Sequence, residues 1–253
     1  MLLILLFISL CYSTSLKAPF IRTDFSNKQL IPDNIDSNNI VLIFPGFSGI
    51  DFNIDMLTDN IIQSDKDNGL DRLCYICDWS SDTNIFCSGD KGLFAANRVT
   101  EQLVQIKSHE KINLHLIGIS AGAMAASELC NFLKSFDPKK YNIHLTLLDP
   151  FTLFRFNTQY GVHTFGITAD FCEQYLNTDD PVPFTNKPLI HAYVHDLTHS
   201  RAKKEFLMMK CSNETAHSWP LYYYAKNWKH VTDPRNFIPD HFIYKRGNIK
   251  YYL

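Results

Sequence analysis

This chain of 253 residues shows no excess of charge of either sign, no internal repeat and no apolar run long enough to cross a bilayer. Its 24 lysines and arginines nearly cancel its 26 aspartates and glutamates, leaving a net charge of −2. That balance gives no electrostatic case for nucleic acid or an anionic membrane as the main partner. The absence of repeats and low-complexity tracts excludes solenoids and disordered linkers as the dominant organisation. The leading run Met1–Cys11 is apolar but short of a membrane span, and small residues follow at Ser13 and Ser15, then Ala18. A secretory signal over residues 1–18 is expected from this pattern, although no basic residue precedes the apolar run. Residues 19–253 are then one domain of ordinary globular composition, exported from the cell.

Six cysteines remain once Cys11 is set aside: Cys74, Cys77, Cys87, Cys130, Cys172 and Cys211. An even set in an exported chain leads to an expectation of disulfide bonds, with no pairing deducible. Cys74-x-x-Cys77 lies in a strand-like run instead of opening a helix, so redox or metal chemistry is not expected there. Asn213-Glu214-Thr215 is an N-glycosylation sequon, compatible with the same compartment.

Apolar runs supply the architecture. Asn39–Phe44, Asp71–Trp79, Ile112–Ile119 and Tyr141–Leu148 read as strands, and Pro188–His195 returns to strand character. Continuous β-branched and leucine runs suit strands buried on both faces of a parallel sheet. Helical spacing falls between them, over 51–63, 93–106 and from the end of the third run to about Phe136, with a last helix over 218–230. Strands alternating with helices predict an α/β fold with a mostly parallel sheet and helices on both faces. The segment 151–187 carries many aromatic side chains without strong periodicity, and long insertions of that kind often cover sites.

Gly118-Ile119-Ser120-Ala121-Gly122 stands where an apolar strand run meets an alanine-rich helix. That is a G-x-S-x-G nucleophile elbow in its required strand–turn–helix context, with Ser120 pushed out above the sheet edge. A serine nucleophile needs a base, and the base needs an acid to orient it, in the chain order Ser, acid, His. Asp149 closes the strand after the elbow, Asp196 closes a later strand, and Asp179-Asp180 lie in a loop. Ten histidines compete for the role of base. His115 and His144 fall inside strands. His191, His195 and His199 recur every fourth residue, but in a strand-like context that dissolves a metal face. His217 follows every acid candidate, in a polar stretch just before the last helix, and is the base favoured by position. Pro45-Gly46-Phe47-Ser48-Gly49 ends the first strand run, where an α/β-hydrolase places one of its oxyanion-hole amides.

Several stretches resemble the animal pancreatic-lipase family of secreted lipases and phospholipases A1. Pro45-Gly46-Phe47 is similar to its His-Gly-Phe loop, and Asp78-Trp79 to its strand ending in Asp-Trp. Ala95-Ala96-Asn97-Arg98-Val99 is similar to its Ala-Ala-Asn-x-Val helix, and Leu114–Ala123 to its elbow. Leu148-Asp149-Pro150 is similar to its Leu-Asp-Pro, and Ala216-His217-Ser218 to its Asn-His segment. The matches run in order over residues 40–225. The resemblance implies an α/β-hydrolase fold, Ser120 as nucleophile, Asp149 as acid and His217 as base. It implies an oxyanion hole from the amides of Phe47 and Ala121, and lipid acyl esters as substrates. It implies no metal or organic cofactor, and transient contact with a lipid interface. Pro45 and Ile119 stand where the family carries histidines. Residues 201–216 are too few for the family's long lid, and no sandwich domain follows, so colipase is not an expected partner. A lipase-fold binding or storage protein, or an acyltransferase sharing the acyl-enzyme step, are the competing expectations.

Overall fold

The computed structural model describes residues 20–22, 37–79, 88–108, 110–208, 216–228 and 246–252. The leader at 1–18, the sequon at Asn213, Cys87 and Cys211 lie outside the described residues. Eight strands form one sheet: β1 (Phe20–Arg22), β2 (Asn39–Phe44), β3 (Leu73–Asp78), β4 (Ile112–Ile119), β5 (Tyr141–Leu148), β6 (Phe171–Leu176), β7 (Tyr193–Asp196) and β8 (Ile249–Tyr251). Their order across the sheet is β1-β3-β2-β4-β5-β6-β7-β8, and every neighbouring pair is parallel.

Parallel strands need crossovers, and helices supply most of them: α1 (Phe52–Asn68), α2 (Ser88–Leu103), α3 (Gly122–Phe136), α4 (Tyr160–Thr164), α5 (Arg201–Met208) and α6 (Trp219–Lys226). The runs read as strands buried on both faces have apolar side chains going both ways. Ile40, Leu42 and Phe44 join a core with α2 and α3, while Val41 and Ile43 join a second core with α1 and α6. Each such side chain, fully buried, stabilises the fold by about 1.5–3 kcal/mol. Alanines at 123, 125 and 126 keep α3 thin enough to lie close on the sheet. Asp51 caps α1 by accepting from the Ile54 amide at 3.0 Å, and Gly69 ends it in the left-handed conformation at φ 61°. This is the α/β arrangement, a parallel sheet with helices on both faces, expected from the alternation of strands and helices.

Three differences from the sequence reading have physical causes. The aromatic segment 151–187 is not a separate cover. It contributes α4 and the buried strand β6, with Phe165 and Cys172 in the core. The run Pro188–His195 is strand only from Tyr193, because Leu189 and Lys187 bond instead to the side chain of Gln174 on β6. The expectation of disulfides is not met at the described cysteines. Cys74, Cys77, Cys130 and Cys172 are free and buried, and Cys74 and Cys77 point to opposite faces of β3. Burial pushes the Cys74 and Cys130 thiols up to about 12, so neither is a ready nucleophile or metal ligand.

On the α1–α6 face, polar side chains run across the middle of the sheet. His115 on β4 and His144 on β5 are register partners with rings stacked 4.1 Å apart at 6°. Thr146 bonds His115 at 2.9 Å and Glu173 at 2.8 Å, and His144 lies 3.0 Å from the same carboxylate. Tyr175 donates to Glu173 at 3.3 Å, and His195 on β7 stacks on Tyr175. Side-chain nitrogens and oxygens of His115, His144 and Glu173 lie within 4.8 Å of one another. One ion could not serve both imidazoles, because a metal sits in the plane of each ring it binds and these two planes are parallel and offset. His191, His195 and His199 lie in a turn, a strand and another turn, and share no helical face.

Candidate active site

The chain passes from β2 to β3 on one side and returns to β4 on the other, so the connections diverge at the carboxyl ends of β2 and β4. Such switch points open a crevice where ligands bind. Two loops fill it, Pro45–Gly49 after β2 and the turn at Ser120 after β4.

Ser120 has φ 50°, a left-handed conformation that non-glycine residues rarely adopt and that costs on the order of 1–3 kcal/mol. The surroundings hold it there. Its amide donates to Leu148 O at 2.9 Å, and its carbonyl accepts from Phe151 and Ala123 at 2.9 and 3.1 Å. A Cβ on Gly122 would stand 2.1 Å from the carbonyl oxygen of Phe44, so α3 can start beneath β2 only with glycine at that position. The Pro45–Gly49 loop is fixed by Trp79, whose indole Nε1–H donates to Pro45 O at 2.9 Å. The Asp-Trp at the end of β3 is therefore an anchor for this loop, a role the sequence did not disclose.

The loops and α6 enclose a cavity of about 270 Å³. Ser120 and His217 both line it, as do Phe47 and Ala121. Among the described residues, the Phe47 and Ala121 amides donate to no other group, so both remain available to an oxygen in the cavity. The start of α3 adds positive partial charge there. The remaining wall is largely apolar, from Ile54, Ile119, Leu148, Phe151 and Leu221. No hydrogen bond joins Ser120 Oγ to His217 among the described residues; such contacts are often long until substrate fills a site.

His217 sits in a single 3-10 turn, Ala216–Ser218, directly before α6. Asn177, just past β6, holds that turn by donating from Nδ2 to Ala216 O at 3.0 Å. Two carboxyl groups approach the imidazole. Asp149 Oδ2 lies 4.0 Å from Nδ1, and Asp180, in the loop after β6, receives the Nδ1–H directly. Asp149 is buried, with φ 40°, and its Oδ1 accepts from the Asn177 amide at 2.7 Å. Asp180 accepts from Val182 N at 2.9 Å and from Thr185 Oγ1 at 2.8 Å.

The two acids are tuned in opposite directions. Burial pushes the Asp149 carboxyl well above its usual range, and the Asp180 charge pushes it further. Burial works in the same direction on Asp180, but the hydrogen bonds and charge of His217 outweigh it and hold that carboxyl below its usual value. The family resemblance implies Asp149 as the acid, with Asp196 and Asp179-Asp180 as the other candidates; the structure brings both Asp149 and Asp180 to His217, Asp180 nearer. Asp196 instead closes its own turn by accepting from Thr198 N at 2.9 Å, and Asp179 is exposed beside Lys203 at 3.4 Å. Side-chain atoms of Asp149, Asp180 and His217 cluster within 4.8 Å, and the hydrogen bonds to Asp180 already account for the imidazole Nδ1.

No family model and no curated protein matches the sequence. The pancreatic-lipase resemblance therefore gains no support beyond the stretches that suggested it. Among solved structures, the chain is similar to a protein from Lactobacillus plantarum WCFS1 described as a "putative cell surface hydrolase", with a TM-score of 0.41 and 12% identity. That likeness covers 85% of this chain and 79% of the other.

Proposed function

We propose that this chain is an exported serine hydrolase of carboxylic esters, acting on lipid acyl esters of the triacylglycerol or phospholipid A1 type. The observation that carries the reading is the single cavity shared by Ser120, held in a strained left-handed turn above β4, and His217, held by a carboxylate at Nδ1. In the first step His217 takes the Ser120 proton and Ser120 Oγ attacks the ester carbonyl. The amides of Phe47 and Ala121 receive the oxyanion, helped by the N-terminus of α3. The tetrahedral intermediate collapses to an acyl-enzyme as His217 protonates the leaving alcohol. Water, deprotonated by the same imidazole, then releases the carboxylic acid. The apolar wall from Ile54 to Leu221 suits the acyl chain, and the reaction as proposed needs no metal or organic cofactor. Exposed Phe47 and Phe52, at and beside the cavity, suit transient contact with a lipid interface.

The test is the purified protein and its Ser120→Ala variant, assayed on a panel of esters varied in chain length and headgroup and labelled with a fluorophosphonate. A loss of about 10⁶-fold in turnover, together with loss of labelling, is expected for removal of a triad nucleophile. Labelling that survives in Ser120→Ala, or an unchanged rate, would end this reading.

A further inference from the structure

Two carboxyl groups converge on one imidazole nitrogen, and they are not equivalent. Asp180 receives three donors: the Val182 amide, the Thr185 hydroxyl and His217 Nδ1–H. Asp149 receives one, the Asn177 amide on Oδ1, while its Oδ2 is buried and finds no donor among the described residues. An ionised Oδ2 there would be an unsatisfied buried charge beside a second carboxylate. A proton on that oxygen reverses its character, because a carboxylic acid donates, and a carboxylate oxygen of Asp180 lies within 4.8 Å to accept.

The other charged groups near the pair do not alter this. Lys203, from α5, is the cation facing it, and its ammonium is held by Asn177 Oδ1 at 2.7 Å and by Asp179 at 3.4 Å. Asp179 points to solvent. His217, from the turn before α6, spends its Nδ1–H on Asp180.

We propose that Asp180 is the ionised carboxylate that orients His217, and that Asp149 is a neutral acid hydrogen-bonded behind it. In this arrangement Asp149 Oδ2–H donates to Asp180, Asp180 accepts from His217 Nδ1–H, and the imidazole faces the cavity that Ser120 also lines. No atom is transferred between Asp149 and Asp180 in the reaction. Asp149 fixes where the Asp180 oxygen stands and spreads its charge, so it is a positioning residue. This rests on the serine-hydrolase reading of the site, which Ser120→Ala tests separately.

The experiment compares Asp180→Asn, Asp149→Asn and Asp149→Leu in the full chain, each checked for folding by thermal unfolding. Rates are read on a short-chain p-nitrophenyl ester as kcat and KM, and the His217 ring protons by ¹H–¹⁵N NMR on histidine-labelled protein. Asp180→Asn is expected to lower kcat by about 10⁴-fold, the loss that follows when the imidazole is held in the wrong tautomer. Asp149→Asn keeps a neutral donor in the same place, and is expected to lose less than about 10-fold. Asp149→Leu removes that donor, and a loss on the order of 10²-fold is expected, in kcat and not in KM.

The downfield Nδ1–H resonance should persist in Asp149→Asn and vanish in Asp180→Asn. The proposal is overturned if Asp149→Asn is as impaired as Asp180→Asn, if Asp180→Asn keeps wild-type kcat, or if the resonance survives loss of Asp180. The resonance is read without turnover, so it decides the carboxyl pairing even if Ser120→Ala should sink the parent reading.

Discussion

The same residue types form two histidine–carboxylate clusters in this molecule, and only one of them opens on the cavity beside Ser120. At mid-sheet, His115, His144 and Glu173 are sealed, with side-chain exposures of 1–3% for the His144–Glu173 pair. At the carboxyl ends of β5 and β6, Asp149 and Asp180 are equally buried, but the His217 side chain is 20% exposed and opens on the cavity. Burial holds His115 well below its usual value, so that ring stays neutral. Burial would raise Glu173, yet hydrogen bonds from His144 and His195 outweigh it and keep that carboxyl low. Composition alone does not separate the clusters. What separates them is one imidazole edge reaching open space beside a strained serine.

Breaking each cluster at its centre should therefore give opposite phenotypes. His217→Ala is expected to lower turnover by about 10⁶-fold, as removal of a catalytic base does, with a smaller loss of stability than Glu173→Leu, because water from the cavity can replace the imidazole at Asp180. Glu173→Leu leaves buried imidazoles without their carboxylate and is expected to cost about 3–5 kcal/mol of stability. At temperatures where that variant is folded, its kcat should match wild type. Denaturant titration and active-site labelling of the same preparations check both halves. Equal activity loss in Glu173→Leu at full occupancy of the folded state would erase the distinction.

The anchoring of the cavity loop gives a smaller contrast. Trp79→Phe keeps the ring but loses the donor to Pro45 O, and the Phe47 amide is then less firmly placed. A drop in kcat of about 5- to 10-fold is expected, the scale of one hydrogen bond, with KM nearly unchanged. Stopped-flow acylation kinetics would separate a slower chemical step from weaker binding.

What could be read from the residues follows the same division. β2, β4 and β5 were legible because a continuous apolar run leaves few alternatives to a strand buried on both faces, and β2 spans the expected Asn39–Phe44. The elbow was legible because G-x-S-x-G lies between such a run and small helical residues. β6 was not, because Phe171–Leu176 carries Glu173 and Gln174 at its centre. Those polar groups are buried only because His144, Thr146, Lys187 and Leu189, distant in sequence, satisfy them. α5 was missed because its sequence, RAKKEFLM, buries little beyond Phe206 and Lys203. The place of Asp180 was hidden for a further reason. Which of two nearby acids meets an imidazole depends on the path of a loop, and Asp179-Asp180 puts one carboxylate in and its neighbour out.

Asp149 and the mid-sheet cluster should also tilt stability in opposite directions with pH, the smallest effect and the most diagnostic. Asp149 is raised in the folded state, so above its ordinary value of 3.8 the native protein holds a proton that the unfolded chain has released. Its contribution is lost as pH rises from that point through the folded value. Glu173 is lowered from 4.5 and His115 from 6.5, so there the unfolded chain holds the extra protons, and stability is lost as pH falls below those values. Asp149→Asn removes the first slope and leaves the second. Its melting temperature is expected to exceed wild type at pH 8, by at least about 3 °C, and to converge with wild type near pH 4. Calorimetry across pH 4–8 measures this directly. A variant whose melting curve stays parallel to wild type throughout would mean that Asp149 is ionised at neutral pH, and that the two carboxyl groups at His217 are charged together.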